Sequence, residues 1–541
     1  MSVSNGAARP AVDRILRRLL ARAALGAATL SPAHASWQRP LPDTTSGIHV
    51  FNDGLSTGLS PELRAFAVTH YAGTQKVTRA DADLMRALDP SFVILHYRLG
   101  TGLGRKTISG PCQAEGGWFQ VIDGTWKQEW PGDGAVQEPW FFHWNGQRVT
   151  QCQWGWFLMD PSDASWRQWW SDQVIAELEH NDNDGLFADS FVVPNFMGTW
   201  NPSLPGVDLA FEGAWSDRLE SFLDYLRGRF AGRWYVIPNV GYWVTSRDTT
   251  DYGHADGVFI EGFGYDVWGD FGFEGWQIQN DRLLGLIAQD KAVIGQAYYN
   301  WGADERMFTL GTYLLLKGRQ TFLNLEVGQD PEWFPEYEIP IGAPLSPAPA
   351  TTAGLWDPES QVYVREYSNG RVLVNPTDTT RTVALGGTWL LAQPTGGGAV
   401  PWNGVTPSSW TVDYAPVTTV TLAPGRAAVL VAQGSTTPYA LSVAALAAGD
   451  SSQITVTGAT PGRLQHFFFN RIGAGSTYYA PLQVTLALAS PRLGARVTAS
   501  AAGVATWRPT LPHVLAGATL HFQTAEPGRT TDVVTTTAGT G

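Results

Sequence analysis

Two stretches of the chain share one grammar. DGLFADSF, residues 184–191, and DGVFIEGFGY, residues 256–265, each read Asp-Gly, three apolar residues, then an acid, so Asp184 to Asp189 and Asp256 to Glu261 have the same spacing. A carboxylate closing an apolar run stands where a buried strand ends, and two at equivalent points suggest a pair. Paired carboxyl groups can cleave a glycosidic bond: one protonates the departing oxygen while the other attacks the anomeric carbon or activates a water. Asp189 and Glu261 are therefore the candidate catalytic residues. Strand-end acids also cap helices or bind loop amides, and the sequence leaves that alternative open.

The elements that would position such a pair follow from the hydrophobic pattern. Eight short apolar runs alternate with amphipathic stretches: AFAVTHY (65–71), SFVILHY (91–97), WFLMD (156–160), GLFAD (185–189), WYVIPN (234–239), GVFIE (257–261), AVIGQAYY (292–299) and TFLNLE (321–326). Continuously apolar strands belong to a parallel sheet covered on both faces. Eight βα units predict an α/β fold, a (β/α)8 TIM barrel over residues 36–338. Helices are expected at about 78–88, 212–230, 276–290 and 303–318, and one after Asp160-Pro161, where Trp166, Trp169, Trp170, Val174, Ile175 and Leu178 share a face. GIHVFND, residues 47–53, is expected outside the barrel, as an N-terminal addition or a cover on its floor.

Reacting groups in such a barrel sit at the C-terminal strand ends. The runs end on His70 and Tyr71; on His96, Tyr97 and Arg98; on Asp160; on Asn239; on Gln296, Tyr298 and Tyr299; and on Asn324 and Glu326. This ring of polar and aromatic groups suits a polyhydroxylated substrate. Each histidine alone also reads as a satisfied core residue, and Asp160, ahead of Pro161 and a helix, as an N-cap. The long segment 99–155 is Trp-rich; Trp126, Trp130 and Trp144 are candidates to stack on sugar rings, with Cys112 and Cys152 expected to staple it as a disulfide.

Composition narrows the class. The 541 residues include 24 Trp and 17 Tyr and carry a formal net charge of −13, which excludes nucleic acid as a partner. Arg14, Arg17 and Arg18, an apolar stretch and Ala33-His34-Ala35 read as a signal peptide over residues 1–35, so the protein is expected to be secreted. No other segment is apolar enough to span a membrane. HExxH and CxxC are missing, and neither metal nor cofactor is expected. A Pro/Ala/Gly-rich linker at 339–354 precedes a small all-β sandwich at 355–433, where Asn369-Gly370 between alternating runs signals a hairpin. Residues 438–541 read as a second C-terminal all-β module.

DGLFADSF, DGVFIEGFGY, VTHYAGTQK and ILHYRLG together resemble the hypothetical glycosyl-hydrolase-like family fifteen of (β/α)8 barrels. The resemblance runs over about residues 47–433, since YSNGRVLVNPT and LAPGRAAVLV look like the β-sandwich that trails many barrel glycosidases. Acids after strands four and six also resemble the α-galactosidase-like clan, which implies Asp189 as nucleophile and Glu261 as proton donor; that clan normally has Asp in the second role, and Glu261 departs from it. The tail resembles modules on exported bacterial proteins and implies secretion. The expected function is a glycoside hydrolase acting on a polysaccharide or oligosaccharide; the competing readings are a barrel that binds carbohydrate without cleaving it and a metal-dependent hydrolase using His70, His96 and Asp189. Oligomeric state is not legible.

Overall fold

The computed structural model describes residues 39–104, 135–264, 271–298, 302–326, 328, 331–432, 439–444, 446–449, 451–459, 463–482, 484–500, 503–527 and 529–540, and the backbone of 119–120 and 126–127. Eight strands run parallel in chain order: β1 (Val50–Phe51), β2 (Tyr71–Gln75), β3 (Val93–Leu99), β4 (Gly185–Asp189), β5 (Tyr235–Pro238), β6 (Gly257–Glu261), β7 (Ala292–Tyr298) and β8 (Thr321–Glu326). β8 pairs with β1, and a parallel bridge between Asn239 and Phe259 joins β5 to β6, so the sheet closes into a barrel. Around it lie α1 (Pro61–His70), α2 (Arg79–Arg86), α3 (Ala164–Asn181), α4 (Leu209–Phe230), α5 (Gly272–Ile287) and α6 (Ala303–Leu316). Between β5 and β6 the described residues hold only a single 3-10 turn, Tyr252–His254.

Period two sorts each strand between two cores. Phe51, Val93, Leu95, Phe187, Ile237, Phe259, Ile294 and Phe322 fill the barrel, while Ile94, Leu186, Val236, Val258 and Leu323 face the helices and meet Trp166, Trp170, Leu219 and Leu283. The repeated Asp-Gly has a structural meaning at the floor. Asp184 accepts from Ile94 N (2.8 Å) and Asp256 from Val236 N (3.0 Å), each tying its strand to the one beside it. A Cβ on Gly185 or Gly257 would run into Tyr235 or Ala292 of the adjacent strand. One five-residue spacing thus delivers a clamp at the floor and an acid at the rim.

The barrel is the expected fold, but two of its strands come from elsewhere in the chain. AFAVTHY is helical as far as His70: Ser60 accepts from Leu63 N, Pro61 opens the first turn, and Phe66, Ala67 and Val68 are buried. The second strand is YAGTQ instead. Gly73 is needed there, because a Cβ would stand 2.6 Å from both the Phe51 ring and Val93 O. GIHVFND supplies β1 and is no cover; the floor is crossed by residues 39–44, with Arg39 paired to Asp182 and Asp184. Trp156–Leu158 lies in an antiparallel sheet with Gly102–Gly104, Thr150–Gln151 and Trp200–Asn201, outside the barrel. One strand is gained at the start and one lost at the third place, so Asp189 and Glu261 still close the fourth and sixth.

A six-stranded antiparallel sheet spans Trp356–Asp357 to Arg426–Val431. Its hairpin turns on Ser368-Asn369, with Gly370 already paired to Tyr367. This sheet packs on α6 at Gly311, where a Cβ would stand 2.6 Å from Ala427 Cβ and 3.0 Å from Val374 Cγ2. Gly311→Ala should therefore cost about 1–3 kcal/mol by overpacking, against the usual gain of helix propensity. Urea unfolding checks this, and an unchanged midpoint would refute the close approach. Residues 440–540 add further short β-sheets.

Candidate active site at the C-terminal rim of the barrel

The same alternation that packs the barrel carries polar side chains to its mouth. Beyond Phe187 comes Asp189, beyond Ile237 comes Asn239, beyond Phe259 comes Glu261, and beyond Ile294 come Gln296 and Tyr298. Asn239 Nδ2 donates to both acids, at 2.9 Å to Asp189 Oδ1 and 2.7 Å to Glu261 Oε2. Tyr97 donates to Asp189 Oδ2 (2.5 Å) and Tyr298 to Glu261 Oε1 (2.8 Å). Ser190 N gives Asp189 a third donor at 2.7 Å. Neither acid caps the helix that follows it, since that place is taken by Asp208 for α4 and by Phe271 for α5.

Burial, and then the charge of Asp189, hold the Glu261 carboxyl above the ordinary glutamate range, against the opposing pull of its Asn239 and Tyr298 donors. Burial and the same Asp189 charge push the Tyr97 phenol far up, so it stays protonated as a donor. Three rim residues leave their strands with positive φ: Lys76 (63°), Ser190 (53°) and Gly262 (86°), each directly after a side chain of the cluster. At Gly262 a Cβ would also strike the Tyr242 ring.

Beside the pair stands a group that pattern reasoning missed. Asp53, just past β1, accepts from Lys76 Nζ at 2.8 Å on both oxygens and from Gln75 Nε2. Burial works to lower the Lys76 pKa, but Asp53, then Asp189 and Glu261, outweigh it and leave the ammonium above its ordinary value. The available signal was the acid ending GIHVFND and the lysine ending VTHYAGTQK. Both were hidden by assigning the first run outside the barrel and the second to a strand ending at Tyr71.

Of the other expected rim residues, Gln296 and Asn324 lie inside the barrel and bond to each other (Asn324 Nδ2 to Gln296 Oε1, 3.1 Å). His96 and Arg98 have the opposite parity to Tyr97. They point away from the axis and share the buried Glu177 of α3, at 2.7 and 2.6 Å. His70 ends α1, stacked on Phe66 at 3.8 Å, and Tyr71 donates to Glu332 O at 2.7 Å, both away from the mouth. Asp160 accepts from Ser162 N and Oγ in a local turn, and the cap of α3 is Asp163. Trp144 sits in a short hairpin against Phe211 at 5.5 Å. Trp130, Cys112 and the signal peptide lie outside the described residues, as do the side chains of Trp126 and Glu326. His70, His96 and Asp189 thus face three different ways, and among the described residues no group of three or more His, Cys, Asp or Glu could hold a metal ion. No helix of the described residues is long and apolar enough to cross a membrane.

The sequence profile of hypothetical glycosyl hydrolase family 15 matches residues 86–371, from the end of α2 through β8 into the antiparallel sheet. Among solved structures, a noncanonic maltogenic α-amylase, AmyB, from Thermotoga neapolitana aligns at a TM-score of 0.33 and 9% identity over 71% of this chain and 98% of that one. An α-amylase from Malbranchea cinnamomea aligns at 0.29 and 11%, over 71% and 96%. Similarities that low carry no argument about activity. No curated protein matches the chain.

Proposed function

The chain belongs to hypothetical glycosyl hydrolase family 15, and from that premise we propose that it is an exported glycoside hydrolase that cleaves its substrate with retention, Asp189 acting as nucleophile and Glu261 as acid and then base. Export rests on the leader pattern of residues 14–35. The observation that carries the chemistry is the single Asn239 amide bonded to both carboxylates. Two oxygens held by one nitrogen at those lengths lie within about 6 Å of each other, which favours the roughly 5–5.5 Å carboxyl separation of retaining enzymes over the roughly 6.5–9.5 Å of inverting ones.

Three donors to Asp189 stabilise its anion, as a nucleophile needs, and the raised pKa of Glu261 suits a proton donor. In the first step an Asp189 oxygen bonds to the anomeric carbon, the glycosidic C–O bond breaks, and the Glu261 proton passes to the leaving oxygen. In the second, Glu261 takes a proton from water, whose oxygen attacks the anomeric carbon. The ester to Asp189 breaks, and both residues return to their starting states.

Product release from a panel of polysaccharides and aryl glycosides tests this reading, with the anomer of the first product followed by NMR. Retention is expected; inversion would remove Asp189 as nucleophile, and binding without any cleavage would favour the carbohydrate-binding barrel. A pH profile adds a signed test. The kcat/KM should fall as pH rises through the raised Glu261 pKa, because the deprotonated form cannot serve as acid. Tyr298→Phe removes a donor that lowers that pKa, so its basic limb should move to higher pH; a limb moving down would contradict the assignment.

A further inference from the structure

The hydrolytic reading leaves Asp53, Gln75 and Lys76 without a task. Lys76 Nζ lies 5.3 Å from the centroids of both the Tyr97 and Phe187 rings, and Tyr97 holds Asp189, so the cluster stands on the nucleophile's side of the mouth. It is open to that mouth, since the side chains of Lys76 and Asp53 remain 18% and 12% exposed. Gln75 is fully buried; its Nε2 is used on Asp53, and its Oε1 has no hydrogen-bond partner among the described residues. Lys76 also keeps a left-handed backbone that a long side chain disfavours. Such strain persists where the surroundings over-determine it, commonly at ligand sites. The fold itself has little use for the pair, because apolar residues of similar volume stabilise an interior about as well as a buried ion pair.

We propose that these three residues form a binding site for adjacent hydroxyl groups of an uncharged sugar ring, the one whose anomeric carbon Asp189 attacks. Lys76 donates to one hydroxyl, while Asp53, held in place by the buried Gln75, accepts from its neighbour. Three carboxyl groups, Asp53, Asp189 and Glu261, surround one ammonium, so a carboxylate or sulfate on the same ring meets net repulsion and a neutral ring does not. The inference rests on the hydrolase reading for the orientation of that ring.

The test uses 4-nitrophenyl glycosides of neutral hexoses in both anomeric forms, the corresponding uronides, and single-deoxy analogues of whichever glycoside is cleaved. Asp53→Asn/Lys76→Met removes both charges together and leaves no orphan ion, so folding is retained; Lys76→Gln serves as a milder check. Wild type is expected to cleave a neutral glycoside at least about a hundredfold faster than its uronide. The double variant should lose about a hundredfold in kcat/KM on the parent, and the loss should shrink to within about threefold on the deoxy analogue missing the hydroxyl that is read. Preference for the uronide, a loss under about threefold on the parent, or an equal loss on every analogue overturns the proposal. Tryptophan fluorescence with the same glycosides separates the two readings. A neutral glycoside that binds wild type and not the double variant, with turnover by neither, upholds the subsite and removes the hydrolase; turnover that the double variant keeps in full does the reverse.

Discussion

Asp189→Asn should lower kcat by about a thousandfold or more on every substrate the enzyme cleaves, while Glu261→Gln should show a loss that depends on the leaving group. The amide of the first variant keeps the size of the carboxylate and its place beneath Tyr97 and Asn239, but it cannot form the ester. Among the described residues, no other carboxylate accepts from both Tyr97 and Asn239. Removing a positioned acid typically costs about 10²–10⁴, and that cost falls when the departing group needs no proton. With a 4-nitrophenyl leaving group, Glu261→Gln should keep a first step within about tenfold of wild type, against about a hundredfold loss or more on a natural sugar leaving group. Burst kinetics of nitrophenol release and steady-state rates on an oligosaccharide measure the two. Equal losses for both variants on both substrates would mean that the roles are not divided in this way.

Asn239→Asp is expected to be the second most damaging exchange, and worse than Asn239→Ala. The native amide places one nitrogen against both carboxylates; an aspartate there turns a shared donor into a third acceptor and adds charge to a buried pair. Like charges at that range cannot all ionise together, so Asp189 and Glu261 would be pushed toward protonation and the nucleophile lost at neutral pH. A fall of about a hundredfold in kcat/KM is expected for Asn239→Asp and about tenfold for Asn239→Ala, in which a hydrogen bond to charged groups worth roughly 1.5–3 kcal/mol is lost without a new repulsion. The two variants should also differ with pH, the aspartate form losing most at low pH, where the added charge keeps the nucleophile protonated, and recovering part of its activity as pH rises. Steady-state kinetics from pH 4 to pH 8 check this, and an Asn239→Asp enzyme as active as Asn239→Ala would dismiss the bridge.

How much of this was legible before folding depends on which contacts set each feature. The helices α2 to α6 follow from local spacing and lie close to where the pattern puts them. The helix α1 does not, because FAV inside PELRAFAVTH is a short apolar run, and such a run reads the same in a buried helix as in a strand. The strands β1 and β2 are short or built from small residues, Val50–Phe51 and YAGTQ, so hydrophobicity is silent about them. Those two misplacements hid Asp53 and Lys76 from the candidate site.

The alternation in β3 was visible, but not its sense. Ile94 on one face and Leu95 on the other are both fully buried, since helices cover the outside and side chains fill the inside. Only barrel closure decides that Tyr97 turns to the axis while His96 and Arg98 turn to Glu177. The acids Asp189 and Glu261 escaped this ambiguity by ending their runs, where a charged side chain can reach the open rim.

The sequence by itself determined the kind of sheet and the two acids that close the strands GLFAD and GVFIE, because apolar periodicity and the spacing from Asp-Gly to acid are local properties of the chain; the count of eight held only because the strand gained at the start offset the one lost at the third place. The tertiary structure decided which segments became the first two strands, which face of each strand looks inward, and that one asparagine spans both acids with a lysine and a third carboxylate beside them. Those features join residues as far apart as Asp53 and Glu261, brought to one rim only when β8 pairs with β1 and Asn239 with Phe259. Ring closure is a property of the whole barrel, and no local stretch of the chain encodes it.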